Sequence, residues 1–162
     1  MIDPKTLPRQ RDVEQFYGKP GLAIESQLMF VDLKYPLRLD WSLGQSVRRL
    51  RLHKKCAETA ATALAEVFDH YGQAKARELG LDRYAGGYNH RKMRGGNSWS
   101  MHAYGCAMDF HAGPNGLKVK CPDALFCGPD YKDFLDIMER NGWLPAIRLW
   151  GADAMHFQAA RL

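Results

Sequence analysis

The chain has 162 residues, a length that suits one domain with a single core. Hydrophobic residues make up 46% and charged residues 25%, as in ordinary globular proteins. No apolar run reaches the roughly 18 residues of a membrane span, and the net charge of +5 favours anionic partners although no recognisable DNA- or RNA-binding motif accompanies it.

The opening segment, MIDPKTLPRQRDVEQ, lacks the apolar centre of a secretory leader, so synthesis in the cytoplasm is expected. Residues 9–17 read as a short helix stopped by Gly18 and Pro20. Residues 28–41 are rich in β-formers and alternate loosely, which predicts one or two strands broken near Pro36. The basic run from Arg48 to Lys55 reads as a solvated face leading into a helix. That helix, over 53–71, is the longest expected. Ala57, Ala60, Ala61, Leu64, Val67 and Phe68 recur at helical spacing, and Gly72 ends it.

A second helical piece, 73–79, stops at Gly80. From 84 to 116 the character changes to glycines, aromatics, His and Asp with few helical signals. Residues 130–140 read as a further helix capped by Asp130, with Phe134, Leu135 and Met138 as its apolar stripe and Asn141-Gly142 at its end. Residues 143–161 read as strand, turn and strand. Helices early, strands late and no βαβ alternation predict one α+β domain over residues 1–162.

Four cysteines are present, Cys56, Cys106, Cys121 and Cys127, and none forms a C-x2-C pair, which argues against a cysteine metal site. Cys121 and Cys127 are spaced to bridge a short loop in an oxidising compartment, but free thiols are expected in a cytoplasmic chain.

The chemistry concentrates in two stretches, Ser100-Met101-His102-Ala103-Tyr104-Gly105-Cys106-Ala107-Met108-Asp109 and Asp153-Ala154-Met155-His156-Phe157-Gln158. Catalytic zinc commonly takes three ligands from His and carboxylate and leaves a fourth position for water. His102, Asp109 and His156 supply such a set. Seven residues of straight strand span roughly 23 Å, so the chain must fold back between His102 and Asp109, and Gly105 is the natural place. Beyond it, Gly105, Ala107 and Asp109 would share one strand face and Cys106, Met108 and Phe110 the other, apolar one. Asp153 stands three residues before His156, so a turn or bulge is needed to bring both inward. A carboxylate beside a zinc ligand suits a general base. His111 shares the predicted face of Asp109 and is a rival ligand; His53, His70 and His90 have no metal-like context.

The pattern S-x-H-x-x-G-x-A-x-D followed by D-x-x-H-F resembles the zinc peptidase family of VanY-type D-Ala-D-Ala carboxypeptidases, which also contains phage endolysins that cleave the L-alanyl-D-glutamate bond. Ser100, His102, Gly105, Ala107, Asp109, Asp153, His156 and Phe157 stand at its fixed positions. Gly87-Tyr88-Asn89-His90-Arg91, Asn115, Gly142-Trp143 and Trp150-Gly151 resemble a phage-associated branch, and the likeness covers residues 84–158 well. It implies a small antiparallel sheet carrying the zinc site, flanked by helices. It also implies His102, Asp109 and His156 as Zn2+ ligands, Asp153 as catalytic base, and Arg91 as the cation that polarises the scissile carbonyl or holds substrate, with Arg94 its rival. Ser100 would bind substrate or brace the loop.

The expected function is hydrolysis of peptide bonds in peptidoglycan stem peptides by a monomeric lytic endopeptidase, reaching the cell wall after holin-type release or on a virion. A D-Ala-D-Ala carboxypeptidase of the same family and a non-catalytic zinc-containing binding module are the alternatives.

Overall fold

The computed structural model describes residues 3–162. A 3-10 turn over Gln10–Asp12 runs into helix α1 (Val13–Tyr17), which Gly18 closes at φ 111°. After the short helix α2 (Leu22–Glu25) the chain forms a long antiparallel hairpin of β1 (Leu28–Leu39) and β2 (Ser42–His53). Pro36 does not break β1. It falls in the register shift between Asp32 and Leu37, where the ladder is already interrupted and a missing N–H is tolerated.

β2 refines the expectation for the basic run. Arg49 and Arg51 are exposed while Leu50 and Leu52 are buried, so the run is solvated on one face and leads into a helix as expected, but as an amphipathic strand through His53 followed by a turn over 54–56. Helix α3 accordingly starts at Ala57 and runs to Tyr71, burying Ala57, Ala60, Leu64, Val67 and Phe68 at the expected spacing. Helix α4 (Gln73–Leu79) ends at Gly80, in the left-handed conformation at φ 78°.

Strands β3 (Arg83–Gly86) and β4 (Ala107–Phe110) follow, then helix α5 (Lys132–Arg140), strand β5 (Leu144–Pro145), helix α6 (Ala146–Leu149) and strand β6 (His156–Gln158). The fold is α+β. Its six strands lie in the order β2-β1-β3-β4-β6-β5, and every neighbouring pair is antiparallel except β1 with β3. Asp130 is not the cap of α5: it lies in a 3-10 turn over Pro129–Tyr131, and Tyr131 takes the cap position without a side-chain hydrogen bond. The C-terminal strand-turn-strand holds, with the extra helical turn α6 between its strands.

Cys121 and Cys127, expected as free thiols, form a disulfide with their Cα atoms 5.6 Å apart. The amide of Ala124 donates to the Lys120 carbonyl, and a 3-10 turn over Leu125–Cys127 brings the chain back. This folded-back loop, which the compartment argument ignored, places the two sulfurs within bonding reach.

Helix α3 packs on β1 and β2, and α5 packs on α3, so both helices cover one face of the sheet. Phe110 of β4 and Phe157 of β6 point into that layer and meet Phe134 of α5 at ring-centroid distances of 6.1 and 5.2 Å. The opposite face of β4 and β6 is left to the site. Among the described residues, no helix is long and apolar enough to cross a membrane.

Candidate metal centre

His102 enters from a 3-10 turn over Met101–Tyr104, whose first residue is preceded by Ser100 as cap: the Ser100 hydroxyl oxygen accepts from the His102 amide at 3.3 Å. Gly105 makes the reversal at φ 70°. A Cβ there would stand 2.7 Å from Leu28 Cδ2 and 2.9 Å from the His53 amide nitrogen, so glycine is required by space as well as by angle. β4 then carries Asp109 outward while Cys106, Met108 and Phe110 are fully buried, as the strand alternation predicts.

Asp109 and His156 are direct cross-strand partners, as are Ala107 and Gln158. Asp109, His156 and Gln158 therefore stand on one face. His102, Asp109 and His156 each offer a ligand atom, all within 4.8 Å of one another, and the group could hold a metal ion. The side chains are only 4%, 13% and 9% exposed for His102, Asp109 and His156.

Hydrogen bonds set which ring nitrogens face inward. His102 Nδ1 donates to the Gly87 carbonyl at 2.7 Å, which leaves Nε2 with its lone pair, 3.2 Å from Asp109 Oδ2. That buried Nε2 has no hydrogen-bond partner, since a ring nitrogen with a free lone pair and a carboxylate oxygen are both acceptors. Gln158 Nε2 donates to the Ala160 carbonyl at 3.0 Å, an oxygen that can only accept, so Gln158 Oε1 must face His156 and accept from its Nε2 at 3.0 Å. His156 Nδ1 is thereby turned to Asp109 Oδ1, 3.1 Å away.

Two atoms each bonded to one zinc-like ion at about 2.0–2.2 Å lie roughly 3–4 Å apart, and the separations of 3.1 and 3.2 Å from Asp109 to the two rings fall in that range. Burial works to raise the Asp109 pKa, but the two imidazoles beside it, His102 and His156, outweigh it and hold the carboxyl well below the usual range. Burial likewise works to lower His156, and Asp109 outweighs it to raise that pKa. Asp109 is thus an anion between two rings, the charge state a metal ligand needs.

Asp153 lies on the turn before β6, where its carbonyl accepts from the His156 amide at 2.9 Å. Its φ of 62° is the left-handed conformation that turns both residues inward. Asp153 is 6% exposed, and its Oδ1 is buried with no hydrogen-bond partner. Burial raises its pKa above the ordinary carboxylate value, and the Asp109 charge adds to the rise, against the pull of His156, His102 and Arg91. A cation at the neighbouring triad would draw it back down.

A cleft of about 230 Å³ joins these groups: Arg91, Arg94, Ser100, His102, Asp109, Asp153 and His156 all line it, with Met93, Leu117, Trp150 and Met155 as an apolar wall. Of the two arginines, Arg91 is partly buried and Arg94 is exposed. His111 is not brought to the site. Its backbone turns at φ 46°, its ring lies against Gly80, and its Nδ1 is 4.0 Å from Asp40 Oδ1. Sequence reasoning missed two supports, the Gly87 carbonyl and Gln158. The second was open to it, because residues two apart in a strand share a face. Gln158→Leu is expected to lower metal affinity by about 10–100-fold, read by titration against a competing chelator, since it frees the His156 ring. Unchanged affinity would show that strand pairing alone orients the ring.

No family model matches the chain, and no curated protein sequence matches it.

Proposed function

We propose that this protein is a zinc peptidase that hydrolyses peptide bonds in the stem peptides of bacterial peptidoglycan, an endopeptidase of the L-alanyl-D-glutamate type. The observation that carries the reading is Asp153, a buried carboxylate with an unpartnered oxygen on the wall of the cleft that holds the His102-Asp109-His156 group. A binding module that only displays a metal has no use for such a group, which destabilises the fold by about 1–3 kcal/mol when left unsatisfied. Two imidazoles and one carboxylate suit zinc or a similar transition ion better than calcium or magnesium, which prefer all-oxygen shells.

A zinc ion held by His102 Nε2, Asp109 and His156 Nδ1 would supply an activated water and polarise the scissile carbonyl. Asp153 takes the proton of the attacking water and passes it to the departing nitrogen. Arg91 faces the carbonyl oxygen and stabilises the charge that develops there. Ser100 braces the turn that carries His102, through the hydrogen bond from the His102 amide. The apolar wall of Trp150, Met155 and Leu117 would receive the alanine methyl on one side of the cut.

Digestion of purified peptidoglycan, with the fragments read by mass spectrometry, tests the reading. New amino termini within the stem peptide are expected, lost with a chelator and restored by zinc. Release of single D-alanine residues would assign the carboxypeptidase alternative, which the second cleft guanidinium, Arg94, favours as a partner for a terminal carboxylate. Peptidoglycan left intact by the zinc-loaded protein would refute both.

A further inference from the structure

Three cation–ring pairs lie on the β1–β2 hairpin and on the segment 88–99 that leads into the cleft wall. The Arg49 guanidinium sits 4.0 Å from the Phe30 ring centroid, the Arg51 guanidinium 5.6 Å from that of Tyr88, and the Lys92 ammonium 3.8 Å from that of Trp99. The hairpin explains the first two. Leu50 and Leu52 turn toward α3, so Arg49 and Arg51 stand on the other face of the sheet, the face that carries Asp109 and His156. Arg51 pairs across the ladder with Phe30.

The pairs reach the cleft at two chain neighbours. Tyr88 follows Gly87, whose carbonyl orients His102, and Lys92 follows Arg91 on the cleft wall. Lys92 and Trp99 are also bridged through their backbones. Arg49, Arg51 and Lys92 are exposed, and among the described residues none forms an ion pair with a carboxylate. The acidic groups on this surface are Asp32, opposite Arg49 in the ladder, and Glu25, which accepts from the Tyr88 hydroxyl at 3.3 Å, so the cations remain in excess. Phe30 remains 53% exposed although it is a large apolar ring.

We propose that these pairs form a docking track for an anionic glycopeptide polymer, the peptidoglycan strand outside the bond being cut. Flat rings present faces to the C–H surfaces of sugars, and the adjacent cations pair with the carboxylates of the attached peptides. Single-stranded nucleic acid offers a similar alternation of rings and anions. The glycopeptide is favoured because the track leads into a cleft equipped for a peptide bond, so the assignment of the occupant rests on the peptidase reading.

The test uses the full chain loaded with zinc, and the double variant Arg49→Glu/Arg51→Glu, whose positions do not line the cleft. Co-sedimentation with insoluble peptidoglycan is expected to weaken by about tenfold or more in the variant, and binding by the unsubstituted protein to fall as salt screens the contacts. Cleavage of a short soluble stem peptide should be unchanged, which also shows that the variant is folded. A neutral variant, Arg49→Gln/Arg51→Gln, should bind at an intermediate level. Normal cleavage of the soluble peptide with unchanged sedimentation of both variants would overturn the track and leave the peptidase reading intact. Charge-dependent sedimentation without any cleavage would sustain the track and overturn the peptidase. Tighter binding to single-stranded DNA than to peptidoglycan would overturn the choice of occupant.

Discussion

Asp153→Asn is expected to keep its metal and to cleave stem peptides about 10²–10⁴-fold more slowly, the usual cost of losing a general base. The substitution isolates the proton-transfer role. Asparagine tolerates left-handed backbone about as well as aspartate, so the φ of 62° that aims this residue into the cleft is preserved. The side chain keeps its shape and loses only the basic oxygen. Asp153 is not needed to complete a ligand set, because His102, Asp109 and His156 already offer three converging atoms. Elemental analysis, thermal unfolding and peptide cleavage together decide the matter. Loss of metal would make Asp153 a ligand. Full activity would hand the proton to another group, and His111, held near Asp40 outside the cleft, is not placed to receive it.

Arg91→Ala should lower kcat by about 10²–10³ with the metal retained, as expected for removing a fixed cation from a developing oxyanion. Arg91 is partly buried on the cleft wall, and its charge acts on Asp153. Its Nη1 donates to the neighbouring Lys92 carbonyl at 3.3 Å, which restrains the side chain. Arg94 lines the same cleft but is exposed, so water screens its charge and Arg94→Ala should cost less. Steady-state kinetics on a soluble stem peptide separate the two: a fall in kcat marks the oxyanion partner, and a rise in KM alone marks a group that binds substrate and transition state equally. The opposite ranking would transfer the role to Arg94.

The convergence of His102, Asp109 and His156 was legible because such residue types are rare in combination and their spacing imposes one reversal, which Gly105 supplies. The helices α3, α4 and α5 were legible from their buried stripes and terminal glycines, apart from the starts of α3 and α5. β2 was not, although Arg49-Leu50-Arg51-Leu52 alternates cleanly, because the charge of the run outweighed its period. The disulfide was missed although Pro122-Asp123 marks a turn and the spacing allows a bridged loop, because the expected reducing compartment outweighed both signals. The cleft depended on contacts across long separations: Leu117, Trp150 and Met155 share a wall with Arg91 only after the sheet has formed. Gln158 lay in plain view at two residues from His156, but its task depends on the Ala160 carbonyl that fixes its amide.

The cross-strand pairing of Asp109 with His156 ties metal capture to strand register. Sliding β6 by a single position would present Phe157 where His156 stands and send the imidazole into the aromatic layer. No half-correct pairing could gather the three donors, so an ion held by all of them would require the central strands to be aligned already. Uptake of the proposed ion during refolding would then be a direct clock for sheet assembly. The segments that carry Arg91 and Trp150 lie outside that pairing but are tied to the same group, because the Ser100 amide donates to the Arg91 carbonyl at 3.1 Å and the Trp150 ring lies 5.9 Å from that of His156, so the cleft wall and the three donors are built as one unit.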